Sequence, residues 1–147
     1  LRQFLRYQGR LSGLRDELED RVTRCLQQCR LEDQEDLKIG VLSKGAIQRL
    51  AMAQALVHDP DVLLLDEPLD GLDPLARNRF QTLIQELADE GKCILLATHL
   101  MEGLEDFCDE MIVLHEGKTL FQGAPRFDAG LEGWIVETLK AREAAGG

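Results

Sequence analysis

Two short, unbroken apolar runs flank one amphipathic helix pattern, and that order constrains the fold more than any other feature of the chain. Val62 to Leu65 is the first run and "CILLAT", starting at Cys93, is the second. Apolar residues without alternation mark strands buried on both faces. Between them, Asp73-Pro74 reads as an N-cap followed by proline at the first helical position. Phe80, Leu83, Ile84 and Leu87 then recur at helical spacing, and Gly91 is the stop. Strands alternating with helices predict an α/β fold with a mostly parallel sheet.

The flanking segments extend this pattern. Leu1, Phe4, Leu5 and Leu11 fall near one face of a helix that stops around Ser12-Gly13. A second helix carries Leu14, Leu18, Val22, Cys25, Leu26 and Cys29 at spacings of three and four, and "LEDQEDLKIG" is a connection. Ser43 is a good N-cap for a helix running to about Val57. Pro60 ends that stretch, because proline disfavours helix in the residue before it. Beyond the second strand, a short helix with Leu100, Leu104 and Phe107 leads to "EMIVLHEGKTLFQG", a β-hairpin turning at Glu116-Gly117. The tail holds an amphipathic turn or two around Trp134, Ile135 and Leu139, fraying at "AAGG". Three regions are therefore expected: a helical unit over 1–58, a core over 59–124 and a tail over 125–147.

Composition narrows the function classes. At 147 residues with 44% apolar and 30% charged residues, the chain has the length and make-up of one globular domain. Its net charge of -10 excludes a nucleic-acid backbone as the expected partner, since basic patches drive that binding. No apolar run approaches the roughly 18 residues of a membrane span. Leu1 to Arg10 is charged throughout, unlike a signal peptide. Four cysteines offer no second close pair and no neighbouring histidines, so buried free thiols in a reducing cytosol are expected rather than a zinc site. Leu1 already sits inside a helical pattern, which reads as a piece cut at its N-terminal side.

The chemistry gathers where α/β sheets bind ligands, beyond the carboxyl ends of the strands. One strand closes in Asp66-Glu67, the other in Thr98-His99. Side by side on extended backbone, the two carboxylates would diverge. One could help hold Mg²⁺, which wants few carboxylates and several waters. The other could orient or deprotonate a water attacking phosphorus. Alone, an acidic pair is most often a polar strand end, a histidine after a strand a structural residue, and a serine before a helix a simple cap. Here Ser43, Lys44 and Gly45 crowd one helix start, where N–H groups, the helix dipole and an ammonium all favour an anion.

The run "VLSKGAIQRLAMAQALVHDPDVLLLDEPLDGLDP", followed by "ILLATHL", resembles the nucleotide-binding domain of ABC transporters. "LSKGAIQRL" is similar to the signature motif, "VLLLDEP" to the Walker B strand, "DGLDP" to the D-loop and "ATHL" to the switch-histidine loop. "MIVLHEGKTLFQG" resembles the closing hairpin, and residues 1 to 41 the helical subdomain. The resemblance covers nearly the whole chain apart from its tail. It implies the C-terminal part of a P-loop NTPase (RecA-like) parallel sheet with an α-helical subdomain. No G-x-x-x-x-G-K-[ST] phosphate loop occurs in the chain, nor a glutamine loop.

In that family two domains sandwich two ATP molecules, each held by the phosphate loop of one and the signature motif of the other. The resemblance implies that Ser43 and Gly45, with Lys44 between them, meet the γ-phosphate of ATP on the partner. It makes Asp66 the Mg²⁺ carboxylate, Glu67 the group polarising the attacking water, His99 the γ-phosphate sensor and Asp73 a dimer contact. Lys44 stands where many members have glycine, as in the branch whose permeases export drugs, lipids or polysaccharides. Ala46 replaces the usual glutamine, removing the reach-back partner of a capping box, and Leu69-Asp70 replaces a common Thr-Ser pair.

The expected protein is thus a fragment of an ABC exporter's ATPase subunit, inactive by itself, using ATP and Mg²⁺. Its partners are a second nucleotide-binding domain and an integral membrane permease, with no nucleic acid, and its place is cytoplasmic, peripheral on the membrane's cytoplasmic face. Phe4, Tyr7 and Leu11 beside Arg2, Arg6 and Arg10 are either the permease-docking surface or simple packing of the helical unit. The alternative is a soluble ABC-type ATPase acting in translation or DNA repair. A chain that only interacts, without catalysis, fits poorly with Glu67 and His99 in place.

Overall fold

The structure, a computed structural model, describes residues 1–100, 104, 107–125 and 130–145. The chain divides into two compact units, Leu1–Thr98 and His99–Gly147.

In the first unit, α1 (Arg2–Leu11), α2 (Leu18–Gln28) and α3 (Lys44–Leu56) pack on one another. Leu5, Val22, Cys25, Leu26, Cys29, Met52 and Val57 are buried. Leu14 lies ahead of α2 rather than in it, and Leu11, expected on the packed face, is exposed. Close approach of α1 and α2 runs through Gly9, where a Cβ would stand 2.5 Å from Leu18 Cδ1. The acidic connection is bent by two 3-10 turns, Glu32–Gln34 and Ile39–Val41.

A parallel pair follows: β1 (Val62–Asp66), α4 (Pro74–Asp89) and β2 (Cys93–Ala97), with Val62 opposite Cys93 and Asp66 opposite Ala97. Phe80, Leu83, Ile84 and Leu87 are buried along α4, as their spacing predicts. Strand burial departs from expectation. Leu63 is buried, but Leu64 is 74% and Leu95 60% exposed. Strand side chains alternate between faces, and α4 packs on β2, while the row holding Leu64 and Leu95 lies open. Cys93 belongs to that open row and is exposed, not the buried thiol expected. Cys25 and Cys29 are buried, and loss of hydration pushes the Cys25 thiol up to about 11 and the Cys29 thiol higher still.

A charge node ties α2 to the turn before β1 and the start of β2. Asp59, left-handed at φ 54, accepts from Lys92 Nζ at 2.8 Å and pairs with the Arg21 guanidinium. Lys92 also donates to the Pro60 carbonyl at 2.9 Å. The two hydrogen bonds, Lys92 first, hold the Asp59 carboxyl down at about 2, below the ordinary value of about 3.9. A depressed folded pKa contributes stability that is complete above the ordinary value and vanishes as pH falls through about 2. The urea midpoint of the parent should therefore exceed that of Asp59→Asn above pH ~4, with the gap closing between about 4 and 2. A gap independent of pH would show that the ion pairs do not contribute.

In the second unit, β3 (Met111–His115) and β4 (Lys118–Gly123) form the expected antiparallel hairpin, with an irregularity between Val113 and Leu114. Glu116 and Gly117 both take positive φ, 47 and 73, as a two-residue turn of matching twist demands. The helix expected around Leu100, Leu104 and Phe107 falls partly outside the described residues. Within them, Leu104 is buried and its carbonyl accepts from the Phe107 and Cys108 amides. The tail is more regular than its sequence implied. Helix α5 spans Gly130–Ala145, and Trp134 meets Phe121 edge-on with ring centroids 5.4 Å apart.

Candidate functional site

Two loops of the first unit carry six of the seven residues singled out from the sequence. The first is the entry to α3. Ser43 has extended backbone, φ -67 and ψ 160, and its hydroxyl accepts from the Ala46 amide at 3.2 Å. That is the N-cap expected. Ala46 is buried, so the cap stands on the serine alone. The leading N–H groups of a helix have no partner within it, and the dipole makes that end positive. Lys44 and Gly45 occupy this start.

The second loop joins β1 to α4. Asp66 is the last residue of β1 and is exposed. Glu67 is no longer extended: its φ of 46 is left-handed, uncommon for a side-chain-bearing residue. Strand alternation therefore does not set its direction, contrary to expectation. Hydrogen bonds to the end of β2 and within the loop hold it instead. The Glu67 amide donates to the Ala97 carbonyl at 2.9 Å, its carbonyl accepts from the Asp70 amide at 3.2 Å, and its carboxylate accepts from the Thr98 hydroxyl at 3.1 Å. The end of β2 thus grips the residue that follows β1. Asp73 closes the loop as the N-cap of α4, its Oδ1 accepting from the Ala76 amide at 2.9 Å.

The two loops touch. A Cβ at Gly45 would meet Ala76 Cβ at 3.6 Å and Leu72 Cδ2 at 3.9 Å, so the α3 entry lies against the start of α4. The Lys44 stem crosses Gly71, left-handed at φ 60, where any side chain would collide with it. Lys44 Nζ reaches Asp70 Oδ2 at 3.8 Å, with both side chains exposed. Such a pair is worth about 0–1 kcal/mol, so it aligns the lysine more than it stabilises the fold. Gln48 Nε2 donates to the Pro68 carbonyl at 3.0 Å. Sequence reading missed these last two links. For the first of them the signal in the sequence was the opposite charge of Lys44 and Asp70.

His99 follows Thr98 directly and is exposed, and it opens the second unit. As for metal, no group of three or more His, Cys, Asp or Glu is gathered among the described residues. Asp66 is an exposed carboxylate at a strand end. That suits Mg²⁺, which takes one or two carboxylates and fills its octahedron with water and phosphate oxygens.

The family model described as ABC transporter matches residues 1–70. The ABC transporter ATP-binding protein NatA of Bacillus subtilis is 40% identical over 124 residues, covering 84% of this chain and 50% of that protein. The Nod factor export ATP-binding protein I of Burkholderia orbicola is 47% identical over 104 residues, covering 71% of this chain and 34% of that protein. Among solved structures, cbiO1 from Clostridium perfringens, part of the ABC transporter complex cbiONQ, superposes with a TM-score of 0.71 at 34% identity, covering 86% of this chain and 49% of its own. An ATP-binding subunit of an ABC transporter gives 0.74 at 31% identity, covering 92% of this chain and 62% of its own. The chain spans half or less of the length of these two curated relatives.

Proposed function

Because the chain belongs to the ABC transporter family, we propose that it forms part of an exporter's ATP-hydrolysing subunit, in which ATP closes a dimer and hydrolysis reopens it. One observation carries this reading. The capped α3 entry, the Asp66-Glu67 turn and the capped α4 entry lie together in one unit, with Glu67 fixed by Thr98. Similarity to the Nod factor export protein and the lysine at position 44 support the direction of transport.

In this reading Ser43 and Gly45 offer the hydroxyl and main-chain amides of a positive helix end to the γ-phosphate of ATP on a second nucleotide-binding domain. Lys44 adds an ammonium beside them. Asp66 would hold Mg²⁺, which when bound neutralises charge on the phosphate oxygens. Glu67, already anchored at one carboxylate oxygen, orients the attacking water and accepts its proton. His99 senses the γ-phosphate, and Asp73 lies at the dimer contact. The chain carries no phosphate loop and is expected to be inactive by itself. Regions 1–58, 59–124 and 125–147 serve as helical subdomain, core and tail.

The membrane partner would be a permease, with this subunit on the cytoplasmic face. Among the described residues no helix is long and apolar enough to cross a membrane. Tyr7 and Leu11 are exposed, which suits docking. Arg2 and Arg6 are already engaged, by Glu35 and Glu19 at 2.6 Å each, and Arg10 is exposed. Fractionation of cells expressing the complete gene product tests the reading. The protein should pellet with membranes and leave them in alkaline carbonate. Recovery with ribosomes or DNA, with membranes empty, would overturn it.

A further inference from the structure

A side-chain hydrogen bond joins the helix that Ser43 caps to the loop that carries Glu67. Gln48 lies on α3 and is half-buried, and its amide points at the carbonyl of buried Pro68. A carbonyl only accepts, so the end of the Gln48 side chain facing it is the NH₂. Proline has no N–H, and its carbonyl is the one main-chain polar group Pro68 can offer. Helix α3 takes it. Pro68 directly follows Glu67, whose left-handed backbone persists only where its surroundings over-determine it. Ala97, Thr98 and Asp70 hold Glu67 from the β2 side and from within the loop. From the α3 side, Gln48 holds the neighbouring Pro68.

We propose that Gln48 is a positioning residue for Glu67, tying the catalytic turn of one ATP site to the helix that caps the other. This rests on the functional reading above, which assigns Ser43 to the partner's nucleotide and Glu67 to the chain's own. When the α3 entry is drawn onto the partner's ATP, the Gln48–Pro68 bond carries that displacement to the residue next to Glu67. The Lys44–Asp70 pair runs parallel to it, two residues further along the same loop.

The test uses the complete gene product and steady-state ATP hydrolysis. Gln48→Leu removes the donor at similar size, Gln48→Glu keeps the shape but presents only acceptors when ionised, and Gln48→Lys retains a donor at comparable reach. Misplacing a reacting group by about 1 Å can cost ~10²-fold, so kcat should fall about tenfold or more in the Leu and Glu variants. KM for ATP should stay within about twofold, since binding groups are untouched. The Lys variant should recover at least about half of the parental kcat if the donor is what matters. Should Gln48→Leu fail to fold, Gln48→Glu gives the same answer. Parental kcat in both, or a raised KM with kcat unchanged, would overturn the proposal. Glu67→Gln run alongside separates the causes. If it is inactive while Gln48→Leu turns over normally, the inference alone falls; if it hydrolyses normally, the reading of Glu67 falls and takes the inference with it.

Discussion

Glu67→Gln in the complete gene product should lower ATP turnover by about 10²–10⁴-fold, the usual loss on removing a general base. The amide keeps the size of the carboxylate and can still accept from Thr98, now 3.1 Å from Glu67 Oε2. It cannot take a proton from water. Neither the left-handed turn nor the Pro68 and Asp70 bonds depend on the charge, so the loop should persist and nucleotide affinity should change little. The expected signature is therefore a fall in kcat with KM nearly constant, as for an interaction made in the transition state. Turnover within about tenfold of the parent would mean that another group activates the water.

Ser43→Arg should abolish cooperative hydrolysis while leaving the ATP affinity of the monomer unchanged. The residue caps α3 through its hydroxyl and is itself exposed, beside Lys44 and Gly45. Arginine removes the cap, at a cost of about 0.5–2 kcal/mol in helix stability, which a complete domain can absorb. Its bulk and second positive charge occupy the space where a partner's γ-phosphate would meet the helix start. Equilibrium binding of a fluorescent ATP analogue to dilute protein should match the parent, while turnover loses its steep dependence on protein concentration. Weaker binding by the monomer would place Ser43 beside the chain's own nucleotide and break the sandwich arrangement.

What could be read in the sequence was local. Ser43 and Asp73-Pro74 announce helix starts because a cap is made within three residues, and both caps form as expected. Helix α4 follows its apolar spacing, and the Glu116-Gly117 turn has the residue types that accept left-handed backbone. What failed depended on partners elsewhere. Whether Leu64, Cys93 and Leu95 are buried depends on what lies over that face of the strands, which no run of letters records. The left-handed φ of Glu67 goes with its bonds to Ala97 and Asp70, and proline after it would by itself favour extended backbone. Gln48 and Pro68 are twenty residues apart, beyond any helical or strand period. The long α5 was undervalued because Gly130 and Gly133 weaken its first turn, although Leu131 is buried and Trp134 docks on Phe121.

In the proposed function this chain supplies half of an ATP site that is complete only in a dimer. Sedimentation velocity on the complete gene product carrying Glu67→Gln tests it most directly, because a variant that binds without hydrolysing should trap the closed state. With Mg-ATP the species should double in mass and return to monomer with Mg-ADP, and adding Ser43→Arg to the same chain should prevent the doubling. A protein that stays monomeric at saturating Mg-ATP, or that dimerises equally with ADP or with Ser43→Arg in place, would rule out a shared ATP site.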